Sequence, residues 1–117
     1  MSRAMSGKPG RIEDHTLSIA ISEDGPQRVI ELFGELDAAC VGTLNERLRE
    51  AIHGECECVV VDLSGLDFID SGGIAALYGA VEDSNANGTR LGVLRGPASV
   101  ERILAMTGVD QLLPFLN

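Results

Sequence analysis

The sequence predicts a small α/β domain, a mixed and mostly parallel β-sheet with α-helices packed on it. Three observations carry this. Val59-Val60-Val61-Asp62-Leu63 is a run led by three β-branched residues that does not alternate, the pattern of a strand buried on both faces. Apolar residues recur at helical spacing before and after that run. Two shorter strand-like runs stand ahead of the first helix with only a turn between them. The resulting order is β-β-α-β-α-β-α. Its β-α-β portion implies parallel, right-handed crossovers, and the leading pair is antiparallel.

The elements follow in turn. Residues 1–14 are polar, contain Gly7, Pro9 and Gly10, and show no period, so a flexible arm is expected there and the folded domain over residues 15–117. Leu17-Ser18-Ile19-Ala20-Ile21-Ser22 alternates with period two, as a half-buried strand does. Glu23-Asp24-Gly25-Pro26 is a turn, and Arg28 to Leu32 is the second strand. Asp37 is placed to cap a helix whose inner face is Val41, Leu44, Leu48, Ala51 and Ile52, with Gly54 as its stop. Val59–Leu63 is the central strand, broken by Ser64-Gly65. Ile74, Leu77, Tyr78 and Val81 repeat at i, i+3, i+4 and i+7, and Asn85-Ala86-Asn87-Gly88 ends that helix. Arg90 to Leu94 is a further strand. Pro97 suits the first turn of the last helix, Val100, Ile103, Leu104 and Thr107 line its inner face, and Gly108 closes it. "VDQLLPFLN" adds a short strand.

Composition narrows the function. At 117 residues, 44% hydrophobic and 23% charged, the chain has the make-up of one soluble globular domain with its own core. No apolar run approaches the roughly 18 residues of a membrane span, and the N-terminus lacks the apolar stretch of a secretory signal, so a cytoplasmic location is expected. The net charge is −9, from 18 acidic and 9 basic residues, which disfavours direct binding of nucleic acid. Cys40, Cys56 and Cys58 are odd in number and do not read as a disulfide framework. His53 with Cys56 and Cys58 lacks the fourth well-spaced ligand of a structural zinc site, so no metal is expected.

The stretch Phe68-Ile69-Asp70-Ser71-Gly72-Gly73-Ile74 holds the chemistry. Ser71 is no nucleophile by its neighbours: the histidines, His15 and His53, stand in an arm and at a helix end, and the nucleophile elbow G-x-S-x-G is missing. No Walker lysine or G-x-G-x-x-G makes it a nucleotide cradle. An aspartyl-phosphate receiver would want a lysine on a late strand, and the sole lysine is Lys8. No catalytic residue, cofactor or enzymatic role is therefore assigned. A helix cap at Asp70 or Ser71 accounts for the carboxylate and hydroxyl. It leaves two glycines in the first turn unexplained, since each costs about 1 kcal/mol against alanine inside a helix.

Gly34-Glu35-Leu36-Asp37, Val59-Val60-Val61-Asp62-Leu63, the 68–74 stretch, and Val100…Leu104…Gly108-Val109 occur in the order and spacing of a known family. From about residue 15 to 116 the chain resembles a STAS domain of the anti-sigma factor antagonist type. The resemblance implies a partner-switching regulator of transcription, of the stress-response kind. Such a protein binds an anti-sigma factor that is also an ATP-dependent serine/threonine kinase, and so releases a sigma factor. The kinase switches it off by phosphorylating the serine after the motif aspartate, here Ser71, and a phosphatase resets it. Asp37, Asp70, Ser71, Gly72, Gly73 and Ile74 are then the expected partner-binding positions. ATP and magnesium belong to the kinase.

Two departures stand out. The family often has Asp-Ser-Ser-Gly or Asp-Ser-Thr-Gly, whereas Gly72 here leaves Ser71 as the single acceptor of the motif. The family's last helix is not legible after Leu113-Pro114-Phe115-Leu116, so that edge is expected to be bare or covered by a partner. Two other functions fit the same fold: a non-switching STAS scaffold subunit of a signalling or lipid-transport assembly, and a small nucleotide or anion sensor at the 70–74 turn.

Overall fold

A computed structural model describes residues 11–14 and 16–117, with side chains from Thr16 onward. Residues 1–10 and His15, which hold most of the expected arm, lie outside the described residues. The elements are β1 (Arg11–Asp14), β2 (Leu17–Asp24), β3 (Gln27–Leu36), α1 (Val41–Ile52), β4 (Cys58–Ile69), α2 (Ser71–Asn87), β5 (Arg90–Leu94) and α3 (Ala98–Thr107), with a 3-10 turn at Val109–Gln111. The strands lie in one sheet in chain order.

The sheet is mixed, as expected. β1–β2 and β2–β3 pair antiparallel, and β3–β4 and β4–β5 pair parallel. Parallel pairings are thus half of those described rather than most, because Arg11–Asp14, inside the segment expected as an arm, form β1. They pair along the open edge of β2 from Ala20 to Leu17, which gives the backbone groups of that edge their partners. β2 and β3 are joined at Gly25-Pro26, where Gly25 has φ 62°, the sign a two-residue hairpin turn demands.

Leu17, Ile19, Ile30, Leu32, Val59, Val61 and Leu63 on the strands meet Leu44, Leu48 and Ile52 of α1, Ala76, Leu77 and Ala80 of α2, and Val100 and Leu104 of α3 in one core. On α2 the buried stripe is Gly73, Ala76, Leu77, Ala80 and Ser84, turned from the expected Ile74-Leu77-Tyr78-Val81 face. Small residues let the helix axis lie close to its neighbours, and the larger Ile74, Tyr78 and Val81 pack half-buried at the flanks.

β4 is longer than the sequence pattern suggests. Ser64-Gly65 does not end it. The register passes from Glu31↔Asp62 to Phe33↔Gly65 and from Gly34↔Leu66 to Glu35↔Phe68, so β4 carries an extra residue at each step. These bulges carry the strand to Ile69. Gly65 is required there because the Phe33 ring occupies the place of a side chain: a Cβ would lie 2.9 Å from Phe33 Cε1 and 2.8 Å from Leu32 O. β3 and β4 consequently end side by side, at Leu36↔Ile69.

The C-terminal segment is a 3-10 turn and a single parallel bridge, Val93↔Phe115, rather than a strand. The Val93 amide donates to Pro114 O at 3.0 Å, and the Leu116 amide to Val93 O at 2.9 Å. The edge of β5 is therefore covered by the chain's own residues there.

Candidate functional site

Because β3 and β4 are parallel and end in register, the turns that follow them meet at one end of the sheet. The Asp70 amide donates to Leu36 O at 3.1 Å, which joins the two strand ends. Asp70 has φ −112° and ψ −174° and is the N-cap of α2. Its Oδ1 accepts the Gly73 amide at 3.1 Å, an orphan donor of the helix's first turn. Its Oδ2 accepts the Ala38 amide at 3.2 Å.

Asp37 is not the cap of α1. That helix begins at Val41, its N-cap position is Cys40, and no side chain caps it. Asp37 instead closes its own turn: Oδ1 accepts the Ala39 amide at 3.0 Å, as short polar side chains do in turns. The buried Cys40 thiol donates to Asp37 O at 3.3 Å and to Glu35 O at 3.6 Å.

Ser71 is exposed and is the first residue of α2. Its hydroxyl has no hydrogen-bond partner among the described residues. The capping role belongs to Asp70, so the serine oxygen is not taken up by the helix start. The two glycines differ in purpose. A Cβ on Gly73 would lie 2.6 Å from Leu36 Cγ and 2.9 Å from Ile69 Cγ1, so this buried glycine lets α2 start directly on the two strand ends. A Cβ on Gly72 would lie 3.3 Å from Ala38 Cα, so Gly72 accommodates the neighbouring turn. Ile74 is half-buried against the core, and its amide donates to Asp70 O at 3.0 Å.

The structure thus gathers Asp37, Asp70, Ser71 and Gly72 at one end of the sheet. Gly73 faces inward and has no side chain to offer a partner. Two contributors are not among the expected partner-binding positions. Ala38 offers only a backbone amide, which no residue-type pattern displays. Phe68, 42% exposed, lies on β4 in register with exposed Glu35, on the face opposite to the buried Leu36↔Ile69 pair. Period two from Ile69 was the signal that could have placed its ring outward.

Glu35, Asp37, Asp67 and Asp70 form no ion pair among the described residues, and these four acids stand at this end beside an exposed ring. A groove of about 670 Å³ opens at the other end of the strands, by Gln27, Cys58 and Arg90. The Ser71 end presents exposed Glu35, Ala38, Phe68 and Ser71 on its turns and helix start, groups that a macromolecular partner can reach. The other candidate ligands have local partners: His53 Nε2 lies 2.9 Å from Asp83 Oδ1, and the Cys56 thiol donates to Ala51 O at 3.2 Å. Among the described residues no helix is long and apolar enough to cross a membrane.

Comparison with known proteins agrees with this architecture. A family model described as "Mlab, STAS domain" matches residues 19–114. An anti-sigma F factor antagonist of Paenibacillus polymyxa is 31% identical over 90 residues, covering 76% of this chain and 77% of that protein. The crystal structure of an anti-sigma factor antagonist from Mycobacterium paratuberculosis superposes with a TM-score of 0.74 at 26% identity, covering 85% of this chain and 84% of that one. The anti-sigma factor antagonist SpoIIAA in its unphosphorylated form shares the fold, with a TM-score of 0.70 at 23% identity over 85% of this chain and 88% of that one. The chain belongs to the STAS domain family, with relatives that are anti-sigma factor antagonists.

Proposed function

We propose that this chain is itself an anti-sigma factor antagonist in a partner-switching system. Unphosphorylated, it binds an anti-sigma factor that is also a serine/threonine kinase, and a sigma factor is released. The kinase then phosphorylates Ser71, and a serine phosphatase restores the binding form. The chain acts in the cytoplasm as a binding module and a kinase substrate, not as an enzyme.

The observation that carries the reading is the state of Ser71. Its hydroxyl is exposed, unbonded among the described residues, and set at the start of α2 beside a carboxylate that already caps the helix. Phosphate there adds about −1.5 to −2 charges to an end that is already acidic. The helix dipole tolerates the charge, so the fold persists while a docked partner meets a desolvated dianion. The relationship to anti-sigma factor antagonists supports the same assignment.

The test is incubation with anti-sigma factor kinases and Mg-ATP, followed by intact-mass measurement and peptide mapping. One added phosphate on Ser71, with loss of kinase binding, is the expected result. No phosphate, together with unchanged binding in Ser71→Asp, would sink the proposal. A second reading rests on the matched family model, "Mlab, STAS domain", which fits the fold without reference to Ser71. It is a non-switching scaffold subunit, and a stable stoichiometric complex that never acquires phosphate favours it.

A further inference from the structure

One carboxylate ties two turns together at the Ser71 end. A helix cap needs only the bond from the Gly73 amide to Asp70 Oδ1, at 3.1 Å. The second oxygen reaches the Ala38 amide at 3.2 Å, 32 positions away in the chain. Asp37 and Cys40 hold the 37–40 turn from within, through the Ala39 amide and the Cys40 thiol. Those bonds shape the turn but do not fasten it to α2. The Asp70–Ala38 bond does, and Gly72 allows it, since a side chain there would press on Ala38.

We infer that Asp70 is a positioning residue that clips the 37–40 turn into its docking position, and that phosphate on Ser71 loosens the clip. This rests on the proposed switch at Ser71 and deepens it. Two effects act on the same side chain. The phosphate oxygens are strong acceptors at the helix start and compete for the Gly73 amide. The phosphate charge also repels the adjacent, half-buried carboxylate, where screening is weaker than in bulk water. When Asp70 swings away, the phosphate takes over at the helix terminus. α2 keeps its cap, whereas the Ala38 amide loses its acceptor. The partner then meets a displaced turn as well as a charge. Asp70 thus acts through Ala38, not by touching the partner.

The experiment installs phosphoserine at position 71 by amber suppression, so no kinase is needed, and follows amide hydrogen exchange by NMR. Exchange at Ala38 should rise by about tenfold, while the core amides of β3 and β4 keep their protection. Asp70→Ser has one oxygen, which can cap Gly73 but cannot hold Ala38 as well. It should raise Ala38 exchange by a similar factor without phosphate. It should also weaken binding to whichever anti-sigma factor kinase binds the wild-type chain. Unchanged Ala38 exchange in the phosphoserine protein overturns the inference. So does full kinase affinity in Asp70→Ser with Ala38 freed. If Asp70→Ser fails to fold, the phosphoserine protein, with its native Asp70, decides alone. If no kinase binds the wild-type chain, the switch reading fails, and the exchange measurement still decides whether charge at Ser71 opens the clip.

Discussion

Gly73 sits against Leu36 so closely that a Cβ on the glycine would lie 2.6 Å from the leucine Cγ. Leu36 is fully buried at the end of β3 and cannot yield without disturbing the core. Gly73→Ala should therefore cost about 1–3 kcal/mol, the range for overpacking a well-filled interior. Gly72→Ala meets Ala38 Cα at a milder 3.3 Å. It also regains about 1 kcal/mol of helix propensity. Urea denaturation should show a clear drop in midpoint for Gly73→Ala and a change within about 1 kcal/mol for Gly72→Ala.

Ser71→Ala removes a hydroxyl that bonds nothing among the described residues. Its stability should stay within about 0.5 kcal/mol of wild type, as for an ordinary surface substitution. Asp70→Ala loses both the cap and the tie to Ala38, and should cost about 2 kcal/mol. Denaturation curves for the pair separate the two roles. A large loss in Ser71→Ala with little in Asp70→Ala would reverse the assignment of the cap. With kinase present, Ser71→Ala should take up no phosphate and stay bound.

The architecture was legible because it rests on periodicity. The valines of β4, the face Leu44-Leu48-Ile52 of α1 and the stop at Gly88, with φ 74°, all follow from local pattern. What escaped depends on tertiary partners. Ser64-Gly65 reads as a break until the Phe33 ring is seen to lie over Gly65, which turns a break into a bulge. Asp37 reads as a cap because an acidic residue precedes a helical face. The chain spends Asp37–Cys40 on a turn first, and α1 begins four residues later. At the site, Asp70 and Ser71 were both visible as candidate caps. Only geometry divides them, giving the bonds to Asp70 and leaving the Ser71 hydroxyl without a partner among the described residues. The bond to Ala38 had no sequence signal, since any residue but proline supplies that amide.

The three cysteines should differ in reactivity. Cys40 is wholly buried beneath the Asp37 turn, while Cys56 and Cys58 are half-buried near the start of β4. Alkylation of the native protein with iodoacetamide, followed by peptide mapping, should label Cys56 and Cys58 first. Cys40 should react only at the rate at which its turn or the whole domain opens. Equal labelling of all three under native conditions would mean that the 35–40 segment is not packed as described.

The cover over β5 supplies the last prediction. Beyond the two backbone bonds to Val93, the Arg95 guanidinium lies 3.9 Å over the Phe115 ring. Arg95 Nε also donates to Asn117 O at 2.9 Å, and Nη1 to Glu101 Oε1 at 2.8 Å. Leu116 lies over Gly92, where a Cβ would come within 2.6 Å of it. Phe115→Ala removes the ring but keeps the backbone bonds, and should lower stability by about 2 kcal/mol without changing the oligomeric state. Deleting residues 114–117 removes the bonds as well and leaves the Val93 amide and carbonyl unpaired at the sheet edge. An uncovered strand edge is a template for another chain. The shortened protein should therefore show both a lower urea midpoint and concentration-dependent elution in size-exclusion chromatography. Association in Phe115→Ala as well would assign the protection to the aromatic ring rather than to the paired backbone.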